Sequence, residues 1–138
     1  MKVLLVIPAR GGSKGIPRKN LQRVNGQPLI AYAINNALAS QLVDRVIVST
    51  EDEEIAETAR KLGAEVPFPR PAELATDQVS LIPVVAHAAG AMLALGFAAD
   101  LVVSLQPTTP FISGKIIDQA ICLQKETGCD SVVSVVKV

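Results

Sequence analysis

The chain has 138 residues, the usual size of one domain, and 49% of them are hydrophobic, so a single packed core is expected and a mainly disordered chain is excluded. Thirteen basic and thirteen acidic residues give a formal net charge of zero. This balance disfavours a general polyanion binder, so we expect neither nucleic acid nor a membrane as a partner. With two cysteines and no apolar run that could span a bilayer, we expect a cytoplasmic protein with free thiols.

Short β-branched runs alternate with longer helical patterns along the chain, which is typical of βαβ units. Continuously apolar runs predict buried strands at residues 3–7, 45–49, 101–105 and 131–136, with a weaker one at 65–68. Helical spacing of apolar residues predicts helices at residues 29–38, 52–62, 81–95 and 115–125. These elements predict a three-layer α/β/α domain with a mainly parallel sheet.

Local signals agree with the predicted helices. Thr50 followed by Glu53 forms a capping-box pattern before the second helix, while Ser80 and Ser113 are candidate N-caps of the third and fourth. The chain stops within an apolar run, with no polar tail and no further helix. We therefore expect a truncated domain.

A basic glycine loop, residues 10–19, follows directly on the first predicted strand. It contains four cations and three glycines, namely Arg10, Lys14, Arg18, Lys19, Gly11, Gly12 and Gly15. Glycines allow the backbone to approach a ligand closely, and Arg and Lys bind phosphate oxygens. A loop at the carboxyl end of a parallel strand is where α/β sheets bind ligands, so the pattern predicts a phosphate site.

Other interpretations of these segments stay open at this point. The loop matches neither the Walker nor the dinucleotide fingerprint, and a solvated basic turn is the alternative to a phosphate site. The acidic residues 51–57 coincide with a helix start, which favours a solvated helix face over a metal site. Gln106, Thr108 and Thr109 follow a strand and could contact a ligand, or form a turn ordered by Pro107 and Pro110.

Four motifs in chain order resemble one known family. The run IPARGGSKGIPRKNL at residues 7–21 resembles the signature of the acylneuraminate cytidylyltransferases, also called CMP-sialic acid synthetases. The segments DRVIVSTEDEEIAE, RPAELATDQVS and LQPTTPF, which start at residues 44, 70 and 105, match the same family. The resemblance extends over essentially the whole chain. The resemblance implies a Rossmann-like nucleotide-sugar transferase fold.

The resemblance also implies a reaction and a set of site residues. The reaction is transfer of CMP from CTP to the anomeric hydroxyl of a sialic acid or related nonulosonic acid, with release of pyrophosphate and with Mg²⁺ as cofactor. The positions that match the family's triphosphate contacts are Arg10, Ser13, Lys19 and Asn20. Of these, Arg10 and Lys19 are the candidate catalytic residues. Arg70 and Ser80 match positions beside the cytosine, and Gln106 matches one that faces the acceptor sugar.

Members of this family continue well beyond 138 residues with a dimerisation segment and a late Asp-rich metal-binding motif. We therefore interpret residues 1–138 as the nucleotide-binding part of a single cytidylyltransferase domain whose C-terminal part is absent. A homodimer is expected for the full-length form, no metal ligand is assigned, and this chain alone is expected to be inactive. The alternative is a nucleotide-binding or interaction module of the same fold without turnover.

Overall fold

The computed structural model describes residues 1–12 and 15–137, in which strands and helices alternate. Strands β1 to β5 comprise Val3–Pro8, Arg23–Val24, Gln27–Pro28, Arg45–Ser49 and Leu101–Ser104. Helices α1 to α4 comprise Leu29–Leu38, Glu53–Lys61, Leu81–Ala94 and Gly114–Thr127. The four predicted helices and three of the strong predicted strands are confirmed to within two residues at each end.

Strand β1 is the central strand of a parallel three-stranded sheet with the order β4–β1–β5. Val6, in the middle of β1, lies opposite Ile47 on one side and Ser104 on the other. Outside β4, a single parallel bridge joins Ile47 to Glu65. The weak strand predicted at residues 65–68 is therefore reduced to one bridge, and the parallel sheet itself is confirmed.

The side chains of β1 alternate between two apolar layers because successive residues of a strand point to opposite faces. The odd-numbered residues of β1 share a cluster with buried residues of α1, α2 and α4, among them Ile34, Ile55 and Ile121. Leu4 and Val6 share a second cluster with Ala88 and Met92 of α3. Helices thus cover both faces of the sheet, which confirms the three-layer arrangement.

The strand predicted at residues 131–136 is wrong, because residues 131–137 form no strand in the structure. Val133, Val135 and Val136 are 75%, 87% and 85% exposed, so their apolar surface stays in water. A β-branched run becomes a strand only when a neighbouring strand supplies hydrogen bonds and packing. Residues 131–137 pair with no strand of the described chain, so their β-propensity alone does not form one.

A short antiparallel hairpin of β2 and β3 precedes α1 and is absent from the sequence prediction. Its two turn residues, Asn25 and Gly26, have φ angles of 50° and 83°. Positive φ at both central positions is the requirement of a type I′ turn, for which Asn-Gly is a preferred pair. That dipeptide is the signal that identifies the hairpin.

The start of α2 differs from the predicted capping box. Asp52 is the N-cap, and its Oδ1 accepts a hydrogen bond from the Ile55 amide at 3.0 Å. Thr50 Oγ1 instead accepts from the Asp52 amide at 3.1 Å, so it orders the residue that makes the cap. The predicted cap of α4 by Ser113 is confirmed. None of the helices in residues 1–12 and 15–137 has the length and apolar character needed to cross a bilayer.

Candidate functional site

The carboxyl ends of β1, β4 and β5 lie side by side at one edge of the sheet. Just beyond β1, the Ala9 amide donates to the Ser49 carbonyl at 3.0 Å, and the Leu105 amide donates to the Val6 carbonyl at 3.0 Å. Parallel strands that end together bring their following turns together. The basic glycine loop, the turn after β4 and the turn containing Gln106 therefore begin at the same edge, where α/β sheets bind ligands.

The side chain that follows the basic glycine loop connects back to its first residue. Asn20 is 7% exposed, and its Nδ2 donates to the Arg10 carbonyl at 3.0 Å. The loop turns back at Arg18, which has a φ angle of 51°, and the Leu21 amide donates to the Arg18 carbonyl at 2.9 Å. The predicted triphosphate contact Asn20 therefore holds the two ends of the loop together.

The other predicted triphosphate contacts fall at different places in this loop. Arg10 lies at its start, with its guanidinium in an ion pair with Asp77. Lys19 begins a short 3₁₀ turn, Lys19–Leu21, and is partly buried. Ser13 lies outside the described residues. The assignment of these residues to a triphosphate stays a prediction.

Carboxylates from the turn after β4 contact the basic glycine loop. Glu51 Oε1 accepts a hydrogen bond from the Gly11 amide. The backbone approaches so closely that a Cβ on Gly11 would lie 2.6 Å from Asp52 Oδ2, a distance that real Cβ atoms do not tolerate. The interpretation of residues 51–57 as a solvated helix face is therefore incomplete, because the first two acids lie against the loop.

Arg18 and Asp52 form the most extensive of these contacts. Arg18 Nη1 donates to Asp52 Oδ2, and Nη2 donates to Asp52 Oδ1 at 3.0 Å and to Glu54 Oε2 at 2.7 Å. The hydrogen bond from Arg18 holds the pKa of Asp52 below its ordinary value, against the desolvation that raises it, and the Ile55 amide helps. A bidentate pair of this kind fixes both position and angle.

Arg70 is buried beneath the same edge, with 5% of its surface exposed. Its guanidinium donates to Ser49 Oγ at 3.1 Å, to the Ser49 carbonyl at 2.8 Å and to the Leu74 carbonyl at 3.4 Å. Burial lowers the pKa of Arg70 below its ordinary value. The negative charge of Glu51 raises this pKa, whereas the positive charge of Arg10 lowers it further. Arg70 thus connects the segment at Leu74 to the end of β4, and it interacts electrostatically with Arg10 of the loop.

Ser80 and Gln106 are exposed at the starts of two further segments. Ser80 occupies the N-cap position of α3, but its side chain makes no capping hydrogen bond. The Gln106 carbonyl accepts from the Thr109 amide at 3.1 Å and from Thr109 Oγ1 at 2.8 Å, so residues 106–109 form a turn. Contact of this turn with a ligand stays a prediction. Gln106 also lines an apolar groove of about 810 Å³ between α3, β5 and α4.

Sequence reasoning missed that four acidic side chains converge on this loop. Asp77 comes from the segment before α3, whereas Glu51, Asp52 and Glu54 come from the start of α2. For the three acids of α2 and its start, the signal lay in the run TEDEE at residues 50–54, which follows a parallel strand neighbouring the one that carries the loop. Within residues 1–12 and 15–137, no group of three or more His, Cys, Asp or Glu side chains has a metal-binding arrangement.

Comparison with known proteins identifies the family. The cytidylyltransferase family model matches residues 4–138, so the chain belongs to the cytidylyltransferase family. A pseudaminic acid cytidylyltransferase of Campylobacter jejuni is 46% identical over 120 residues, which are 87% of this chain and 52% of that protein. A CMP-N,N'-diacetyllegionaminic acid synthase of Legionella pneumophila is 42% identical over 98% of this chain and 58% of that protein.

More distant proteins match this chain in sequence or in structure. The N-acylneuraminate cytidylyltransferase of Escherichia coli is 38% identical over 88% of this chain and 28% of that protein. The solved structure of CMP:2-keto-3-deoxy-manno-octonic acid synthetase, in complex with CTP, superimposes with a TM-score of 0.78 at 24% identity and covers 94% of this chain and 49% of that one. The chain spans about half the length of the first curated relatives that it matches.

Proposed function

We propose that this chain forms the nucleotide-binding part of an enzyme that transfers CMP from CTP to a nonulosonic acid. The observation that carries the proposal is that Arg10 and the Gly11 amide lie together at the carboxyl edge of a parallel sheet. These groups are the donors that phosphate oxygens accept from. The names of the relatives support CTP as the nucleotide and a nonulosonic acid as the acceptor.

The proposed chemistry is an in-line displacement. The anomeric hydroxyl oxygen of the acid attacks the α-phosphorus of CTP and forms a new P–O bond. The bond to the bridging oxygen breaks, pyrophosphate leaves with the electron pair, and the hydroxyl proton passes to solvent. Arg10 and Lys19 would hold the phosphate oxygens in line and offset their negative charge, which is how such transfers are accelerated without a covalent intermediate.

The remaining site residues would select the base and the sugar. A guanidinium has five N–H donors. Arg70 donates three hydrogen bonds to described residues, so other N–H donors remain for a carbonyl of the cytosine. Ser80, exposed at the start of α3, would complete the base site. Gln106 would face the acceptor sugar from the turn after β5.

Several parts of the sequence prediction stay predictions within this proposal. The described residues contain no metal-binding group of three or more suitable side chains, so no step is assigned to Mg²⁺. We also propose, from the sequence alone, a homodimer in the full-length form and a cytoplasmic location. The same basis applies to the proposal that neither nucleic acid nor a membrane is a partner. The acceptor class, rather than one particular acid, is what the relatives support.

The proposal is tested by nucleotide binding to the chain and its variants. Isothermal titration should show CTP bound more tightly than UTP, and Arg10→Ala and Lys19→Ala should each weaken CTP about tenfold or more, because a charged hydrogen bond contributes about 1.5 to 3 kcal/mol. Lys125→Ala, which removes an exposed cation from the last turn of α4, is the matched control. Equal affinities for CTP and UTP would contradict the proposed preference for cytosine. An unchanged affinity for CTP in both loop variants would show that the loop does not bind the triphosphate.

A further inference from the structure

The donors of the basic glycine loop already bind carboxylates of the same chain. Asp77 pairs with Arg10, Glu51 accepts from the Gly11 amide, and Asp52 pairs with Arg18. A carboxylate and a phosphate offer these donors the same kind of acceptor oxygen. Any phosphate that binds the loop must therefore either displace these acids or bind beside them.

The three contacts differ in how firmly they are held: Asp77 and Glu51 each accept one hydrogen bond from the loop, whereas Asp52 accepts two. The Arg10–Asp77 pair is a single contact between side chains that are 28% and 50% exposed. Exposed pairs of this kind contribute little, because water and salt screen them. The pair is therefore open to exchange with a more highly charged anion.

The Arg18–Asp52 contact is the opposite case. It is bidentate, the Asp52 side chain is 17% exposed, and the same carboxylate caps α2 through the Ile55 amide. Displacing Asp52 would break the cap of α2 as well as the ion pair, so it is less favourable than displacing an acid that makes one contact. This contact is a fixed attachment of the loop to α2.

We infer that Asp77 and Glu51 are internal counter-ligands that occupy Arg10 and the Gly11 amide in the free protein and are displaced when the triphosphate binds, whereas Asp52 stays bound to Arg18. The inference rests on the proposed function, since it takes the triphosphate as the incoming anion. The two acids keep the donors oriented and lower the affinity of the loop for anions. Asp77 and Glu51 are thus affinity-setting residues of the site.

The chain contains a matched control for this inference. Glu73 lies in the same segment as Asp77, in the short 3₁₀ turn Ala72–Leu74, and its removal changes the net charge by the same amount. Asp77→Asn and Glu73→Gln therefore separate the loss of a specific pair from a general loss of negative charge. Glu51→Gln is a second test, because glutamine keeps an acceptor oxygen and removes the charge.

The experiment measures binding of inorganic tripolyphosphate and of CTP to the chain by isothermal titration. Asp77→Asn should bind both about two- to fivefold more tightly than the unmodified chain, the range expected for release of an exposed ion pair. Glu51→Gln should change both affinities in the same direction, and Glu73→Gln should change neither. Equal tightening by Glu73→Gln would reduce the effect to general charge and overturn the inference.

Arg10→Ala distinguishes failure of this inference from failure of the proposed function. Suppose that Arg10→Ala lowers the affinity for tripolyphosphate, but Asp77→Asn leaves this affinity unchanged or lowers it. Asp77 then does not compete with the anion, and the inference alone is overturned. If neither variant changes the affinity, the loop does not bind the anion and the proposed function fails as well. Circular dichroism of each variant confirms that the fold is retained.

Discussion

Gly114, the first residue of α4, allows this helix to pack directly on the end of α1. A Cβ at this position would lie 2.7 Å from the Ala39 carbonyl carbon, 2.8 Å from the Ser40 nitrogen and 2.9 Å from the Ala39 oxygen. Carbon atoms in contact prefer about 3.5 to 4.0 Å, so α4 must shift by roughly 1 Å. Because the neighbours are backbone atoms, we expect Gly114→Ala to destabilise the fold by about 1 to 3 kcal/mol.

Gly90 provides the matched comparison, since it lies within α3 and a Cβ there meets no heavy atom within 4 Å. Gly90→Ala should stabilise the fold by about 0.5 to 1 kcal/mol, because alanine is the better helix former. Urea unfolding followed by circular dichroism measures both changes. The midpoint should fall by about 1 M for Gly114→Ala, given a typical slope of roughly 1 to 3 kcal/mol per molar. An unchanged or higher midpoint would refute the packing argument.

Three further predictions concern contacts between elements. Asp118→Asn should lower the urea midpoint, at a cost of about 1 to 2 kcal/mol, because its carboxylate accepts from three donors in residues 40–42 and an amide offers one oxygen fewer. The pKa of Asp52 is lowered in the folded chain, so its stabilisation is complete at neutral pH and is lost as the pH falls below its ordinary value of 3.8. Unfolding at pH 7 and pH 3 should therefore show a smaller acid loss for Asp52→Asn than for the unmodified chain. Gly11→Ala should lower the affinity for CTP in a titration, because its Cβ would lie 2.6 Å from Asp52 Oδ2 and displace the loop. Gly12→Ala should lower this affinity less, because a Cβ there meets nothing within 4 Å.

The elements that the sequence predicts well are those whose determinants are local. The run VLLVI is apolar at every position, which only a strand covered on both faces requires, and β1 is indeed the central strand. The periodic apolar residues of Leu29–Leu38 define α1 to the residue. The position of the basic glycine loop follows from its place after β1, because parallel strands all expose their carboxyl ends at the same edge.

Only the tertiary structure decides which partners these residues take. Nothing near Asp77 in the sequence indicates that it pairs with Arg10, which lies 67 positions away, and Asp52 and Arg18 are 34 positions apart. The Arg18–Asp52 pair forms because the order β4–β1–β5 places the turns after β1 and β4 against each other, whereas Asp77 reaches Arg10 from the segment before α3. An ion pair depends on distance rather than on sequence separation. The same reason explains the failed strand at residues 131–136: apolar content is local, whereas a strand needs a neighbour to share its hydrogen bonds.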